Sequence, residues 1–492
     1  MEGIGSCGVC GPSALLAEPV SQLLEFGGQG GQLGNRALAA LQHTLRNGLG
    51  LVAQRAALGR EGDAHAALVL HIAQPALSQH IATLETEFHQ QLLVRTKRGV
   101  TPTEAGQRYR AIAVDRPMTK VTMPFGGDVW VIHRNSAARQ MLADSRFVRE
   151  PFRTGERVVP YFVEFPDFLK TTIQFEDPPH HTKLRKLVQR SISPKRVKAM
   201  RDSAIEFANH LIDEMVAKGG PVNLVEEYTV ALPIQMLANL LGVPPEDRPK
   251  FQKWSSSTLA VANMPEEEVV ANMTELVVYM MALIEERRRE PREDLLSDLA
   301  NARDKDDSLT DGEILPIALV LIIGGFDNTA NFIGAGVLSL LRNPDQLEVF
   351  LSDPDGVAPT AVEEILRHGR MAIGDKVTGG GGMVPFVATE DVTIEGQFIA
   401  KGEAALFDPM CCGHDGVALE HDDVFDIRRE NNPHLTLSYG MHHCLGAPLA
   451  RMEMQVGLAE LYKRIPELTL AGEAIVDKDN LTQAITDLPV TW

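Results

Sequence analysis

Cysteine is scarce. Five residues in 492 are too few and too scattered for a disulfide framework, and this fits a reducing cytosol. Cys7 and Cys10 form a C-x-x-C, but in a glycine-rich tail with no second pair, so the pair reads as incidental. Long apolar runs are missing too. The longest, Leu315 to Phe326, has 12 residues, short of the roughly 18 that a membrane span needs. The first 20 residues hold no lysine or arginine, so the basic region of a secretory signal is lacking. Positive charge is in deficit overall: the formal charge is −19. That balance favours solubility and argues against a dedicated nucleic-acid binder. A soluble, cytoplasmic protein is expected.

What is present is enough apolar material for a large core, 44% of the residues, and a length compatible with more than one domain. Residues 1–35 are rich in glycine, carry three acids and no bases, and read as disordered. Residues 36–115 are rich in Ala, Leu and Gln at helical spacing, with nine Lys and Arg against six Asp and Glu. A mildly basic module thus precedes an acidic body at 116–492, with a break at Asp115-Arg-Pro117. Val121 to Ile132 predicts two short strands around a Gly-Gly turn. Helical patterns dominate from 135 to 370, loop and strand follow over 371–443, and helix resumes from 447 to about 464. The body is expected to be mainly α with a minor β part.

Four stretches of the body carry chemistry. The first is Leu437-Ser-Tyr-Gly-Met-His-His-Cys-Leu-Gly-Ala-Pro-Leu-Ala-Arg451. It sets Cys444 between Gly440 and Gly446, just ahead of a helix-forming run. Only a thiolate ligates a metal, and the free N–H groups at a helix start favour that charge. His442 and Arg451 add positive charge or donors nearby, and two glycines allow close approach of a flat cofactor. The second is Leu321-Ile-Ile-Gly-Gly-Phe-Asp-Asn-Thr-Ala-Asn331, an apolar helix interrupted by Gly324, Gly325, Asp327, Asn328 and Thr329. Each mid-helix glycine costs about 1 kcal/mol against alanine, and a buried unpaired Asp327 costs more, so a plain core helix would not contain this. The third is Glu363-Glu-Ile-Leu-Arg367, where Glu364 and Arg367 share a helix face. In the fourth, Asp177 to Lys186, His181 and Arg185 stand four apart.

Together and in this order the four stretches resemble the cytochrome P-450 family, the haem-thiolate monooxygenases, over about residues 117–492. The match to F-G-x-G-x-H-x-C-x-G has Leu437 in place of Phe and Ser438 in place of the first Gly. The resemblance implies haem b with Cys444 as axial metal ligand, and His181, Arg185 and His442 at the haem propionates. Gly325 and Gly446 would make room for the haem. It implies proton delivery by Asp327, with Asn328 where a threonine is usual and Thr329 next to it. It implies a structural trio of Glu364, Arg367 and Arg429. In the family an arginine to a propionate stands where this chain has Phe386, and the preceding run Gly379 to Gly382 is atypical. The implied activity inserts one oxygen atom of O2 into a small apolar organic substrate. Electrons would come from NAD(P)H through a ferredoxin reductase and a ferredoxin, docked on a basic patch of Lys183, Lys186 and Arg428.

The N-terminal module reads differently. Ala66 to Glu85 has the pattern helix, short turn, helix, with Pro75 in the first turn of the second helix. Leu77, Ile81 and Leu84 make its apolar face, leaving Gln74, Ser78 and Gln79 able to reach base edges. Arg95, Lys97 and Arg98 follow on a wing and suit phosphate contacts. This resembles the winged helix-turn-helix of LysR-type regulators, without the usual long dimerisation helix. A fold is therefore expected in which a small winged helix-turn-helix precedes a cytochrome P-450 body. The leading reading is a monooxygenase with an N-terminal appendage. The alternative is a haem-containing DNA-binding sensor whose catalysis is weakened or lost.

Overall fold

The structure is a computed structural model that describes residues 93–96, 99–102, 116–122, 127–154, 172–257, 266–301, 309, 311–372, 384–476 and 484–492. The chain divides into two compact units, Met1–Asp115 and Arg116–Trp492. In the first unit, β1 (Leu93–Thr96) and β2 (Gly99–Pro102) pair antiparallel, with Arg95 opposite Val100. The expected helix-turn-helix with Gln74, Ser78 and Gln79, the wing candidates Lys97 and Arg98, and the segment 1–35 lie outside the described residues.

The second unit is mainly helical. Its largest sheet has the order β3-β4-β10-β7-β5. Strands β3 (Met118–Thr122) and β4 (Asp128–Ile132) are the two strands expected around the Gly-Gly turn, with Val121 opposite Val129. Helix α1 (Asn135–Ala143) follows, then β5 (Phe147–Val148), α2 (His180–Ser191), α3 (Arg201–Lys218), β6 (Val222–Asn223), α4 (Ala231–Leu241) and α5 (Glu266–Arg289). Next come α6 (Asp311–Gly325), α7 (Asp327–Arg342) and α8 (Pro354–Ala372). The strand-rich stretch holds β7 (Phe386–Ala388), β8 (Val392–Ile394), β9 (Gln397–Ile399) and β10 (Ala404–Phe407). Helix α9 (Ala447–Arg464) precedes four short strands at the C-terminal end.

Sequence periodicity explains the helical core. In α2 the buried residues His181, Leu184, Leu187, Val188 and Ser191 fall on one stripe. Helix α4 is apolar nearly all round and buries Leu232, Ile234, Leu237 and Leu241. It packs in one cluster with Ile317 and Ile322 of α6, Ile333 and Leu338 of α7, Ile365 of α8 and Leu458 of α9. Burying each such side chain contributes about 1.5–3 kcal/mol. A second cluster joins the sheet to α1 through Ile132, Met141, Phe147, Phe386 and Phe407. The helical stretch Glu313–Arg342 is long and apolar enough to cross a membrane by length and composition, and more than half of its most apolar window is buried inside the protein. A run of 12 apolar residues therefore understated the apolar length of α6 and α7 together.

Candidate functional site

The cysteine loop is a closed turn. Cys444 donates its N–H to the Leu437 carbonyl at 2.8 Å, His443 to Gly440 at 3.1 Å, and Ser438 to Leu435 at 2.8 Å. Gly440 sits at φ +66°, and a Cβ there would drive into the Leu142 carbonyl oxygen at the end of α1. Glycine is thus required for this close approach. Ser438 lies at φ +61°, in the left-handed region, with its hydroxyl oxygen buried and without a hydrogen-bond partner.

Helix α9 starts just after the cysteine, with Gly446 as its N-cap and Pro448 in the first turn. Burial pushes the Cys444 thiol up, while the N–H groups of Gly446 and Ala447 and the guanidinium groups of Arg185 and Arg451 act the other way. A metal cation at the sulfur would tip that balance to thiolate. Arg185 is fixed by donating Nη2 to the His443 carbonyl at 2.7 Å. Arg451 grips Glu363 with two hydrogen bonds, at 2.7 and 2.8 Å, and His434 Nε2 lies 3.0 Å from the same carboxylate. Burial pushes the Glu363 carboxyl up, but these partners outweigh it and hold the group at about 2.

Beside the loop, the rings of His181 and His442 lie 4.5 Å apart. Burial first, and then Arg185 and Arg149, hold His181 down at about 4. Burial, Arg149, His181 and Arg185 hold His442 at about 2. Of the positive charge or donors expected from His442, these surroundings favour a neutral ring that donates. His181 Nδ1 and His442 Nε2 are buried without a hydrogen-bond partner. Buried polar atoms are rarely left so. A ligand with carboxylates placed against these rings and the two guanidinium groups would satisfy them, and the carboxylates of haem have that chemistry.

The second glycine-bearing stretch falls at the break between α6 and α7 at Phe326. Gly324, Gly325 and Asn328 are exposed, whereas Asp327 and Thr329 are buried. A Cβ at Gly324 or Gly446 would meet nothing within 4 Å, so both backbones leave open space for a flat group. Asn328 Nδ2 reaches the Gly324 carbonyl at 3.5 Å, and the Thr329 hydroxyl donates to the Gly325 carbonyl at 3.0 Å. Asn331 Nδ2 lies 3.3 Å from the Asp327 carboxylate.

Glu364 and Arg367 are fully buried and doubly hydrogen-bonded, at 2.6 and 2.8 Å. Arg429 Nε lies 3.3 Å from Glu364. Glu364 also accepts from Asp426 N–H and Asn432 Nδ2, both at 2.9 Å, while Arg367 donates to the carbonyls of Gly413, Asp422 and Val424. The trio therefore fastens the chain ahead of the cysteine loop to α8. Sequence reasoning missed Glu363, Asn432 and Arg149. Glu363 stood inside the quoted stretch, but its partners Arg451 and His434 are remote in sequence. Arg149 carried no motif; only its strand register brings it to the site.

Residues 382–486 match the model of the cytochrome P450 family, and residues 57–107 match that of the bacterial regulatory helix-turn-helix proteins of the lysR family. The chain is 34% identical to the mycinamicin IV hydroxylase/epoxidase of Micromonospora griseorubida over 388 residues, which are 78% of this chain and 95% of that protein. It is 36% identical to the nocardicin C N-oxygenase of Nocardia uniformis subsp. tsuyamanensis over 390 residues, covering 78% of this chain and 94% of that protein. A solved structure of the mixed-function P450 MycG matches with a TM-score of 0.70 at 34% identity, covering 78% of this chain and 96% of that one. The chain belongs to the cytochrome P450 family. It is a P450 monooxygenase, with haem b as cofactor, NAD(P)H as indirect electron source through redox partners, and O2 and an organic molecule as substrates.

Proposed function

We propose that this monooxygenase hydroxylates a small apolar organic substrate in the cytoplasm, with electrons delivered by a ferredoxin and its reductase, and that Arg116–Trp492 is the haem domain. Haem, when bound, supplies the iron at which O2 is activated. Cys444 would hold the iron through its sulfur, whose negative charge the N–H groups of Gly446 and Ala447 favour. His181, Arg185 and His442 would donate to the haem carboxylates, and Gly324 and Gly446 leave room for the ring, whereas a Cβ at Gly325 would lie against Leu237. Asp327 would relay protons to the reacting oxygen, with the exposed Asn328 beside it where a threonine is usual. Thr329 spends its hydroxyl on the Gly325 carbonyl and acts as a positioning residue. Glu364, Arg367 and Arg429 keep the loop in place. Lys183, Lys186 and Arg428 offer positive charge to an acidic ferredoxin.

The observation that carries this reading is a half-buried cysteine just ahead of a helix start, with two adjacent imidazoles in the same site whose buried nitrogens have no hydrogen-bond partner. The reduced protein under carbon monoxide is expected to develop the red-shifted Soret band of thiolate ligation, and Cys444→Ser is expected to abolish it. A wild-type protein without that band defeats the assignment. Turnover that proceeds equally with ferredoxin omitted defeats the electron route.

The match of residues 57–107 to the lysR family favours a second reading, a haem-containing DNA-binding regulator. Gln74, Ser78 and Gln79 would then read bases, and Arg95, Lys97 and Arg98 would hold phosphates. Retarded migration of a duplex at physiological salt, lost in Arg95→Ala, supports it; binding that vanishes at that salt refutes it.

A further inference from the structure

The family's propionate arginine is missing at Phe386, yet the site does not lack a guanidinium there. Strands β5 and β7 pair antiparallel, with Phe147 opposite Ala388 and Val148 opposite Val387. Carried on by one residue, that register sets Arg149 opposite Phe386. Residues directly opposite in an antiparallel pair share a face. The Arg149 guanidinium carbon lies 4.2 Å from the centre of the Phe386 ring, and that ring lies 5.7 Å from His442. Arg149 is buried, and two anchors hold it. Its backbone N–H donates to Asp177 at 2.8 Å, and its Nη1 to the Gln174 carbonyl at 2.8 Å. The Asp177 carboxylate oxygen that faces it also receives the Glu150 N–H at 2.7 Å.

We propose that Arg149 binds a haem carboxylate from the strand facing residue 386, so that the charge absent from one strand is supplied by its neighbour. This rests on the reading of the cleft as the haem site. Phe386 then serves as the apolar plate on which the guanidinium stacks beside His442. The exchange conserves charge and burial while moving the side chain's origin across the strand pair.

The test is haem release from the full-length holoenzyme to excess apomyoglobin, for wild type, Arg149→Met, Arg149→Lys and Arg149→Met with Phe386→Arg. Loss of one charge-assisted hydrogen bond predicts release about 10- to 100-fold faster in Arg149→Met. Arg149→Lys should fall between, and the double variant should return to within about threefold of wild type. Release from Arg149→Met within about twofold of wild type overturns the proposal. So does a double variant as fast as the single one. Melting of the apo-protein separates out a merely structural role: a drop as large as that of the holoenzyme also overturns it. If Arg149→Met does not fold, Arg149→Lys and the double variant decide. A wild type without the carbon monoxide band defeats the haem-site reading itself; a wild type with the band and an insensitive Arg149→Met defeats this inference alone.

Discussion

Ser438→Gly is expected to stabilise the protein, although it removes a side chain from a half-buried loop. Ser438 is held at φ +61°, a conformation that costs an ordinary L residue about 1–2 kcal/mol. Its buried hydroxyl has no hydrogen-bond partner, a further penalty of about 1–3 kcal/mol. Against these stands the larger backbone entropy that glycine loses on folding, about 0.5–1 kcal/mol. The balance favours the variant by about 1–4.5 kcal/mol, which for a unit of this size raises the melting temperature by about 1–6 °C. Urea unfolding followed by circular dichroism should show a higher midpoint with an unchanged slope. Ser438→Ala separates the two contributions, because it removes the hydroxyl and keeps the strain; its midpoint should lie between those of wild type and Ser438→Gly. A midpoint for Ser438→Gly at or below wild type refutes the reasoning, and would mean that the hydroxyl gains a partner that outweighs the strain.

Two further outcomes follow from the site. The Glu363 carboxyl, raised by burial but held at about 2 by Arg451 and His434, is depressed below its ordinary value, so its stabilisation is present above about pH 4.5 and disappears as pH falls toward 2. Glu363→Gln should therefore flatten the acid limb of a stability profile between those values and lower the plateau above it by about 1–2 kcal/mol; an unchanged acid limb counts against the network. Asn328→Thr should raise the product formed per NAD(P)H consumed, because a hydroxyl relays protons better than an amide and the Thr329 hydroxyl is already committed to Gly325; equal coupling in the two proteins would show that the amide is fully compensated.

Local patterns were legible where they act locally. Helix α9 begins at Ala447, where the glycine and proline ahead of an apolar run predict it, and the two strands around Gly126 and Gly127 pair as alternation implies. The i, i+3 spacing of Glu364 and Arg367 is enough to anticipate their contact. What escaped the sequence is what long-range packing decides. The charge state of His442 depends on burial and on Arg149 and Arg185 from other elements. The grip of Arg451 on Glu363 joins α9 to α8 across 88 positions. Arg149 illustrates the limit most plainly: taken position by position, Phe386 is a lost charge, and only the pairing of two strands reveals a neighbouring arginine.

The cysteine loop is clamped on both flanks. Gly440 wedges it against the end of α1, and Arg451, one turn into the helix that follows the cysteine, locks that helix to α8 through Glu363. On the proposed ligation by Cys444, a sulfur mounted between two such fixtures would shift little when the charge of its metal changes. Little of the driving force of electron delivery would then go into moving the sulfur, and electron arrival would depend more on how a redox partner docks than on rearrangement of the loop.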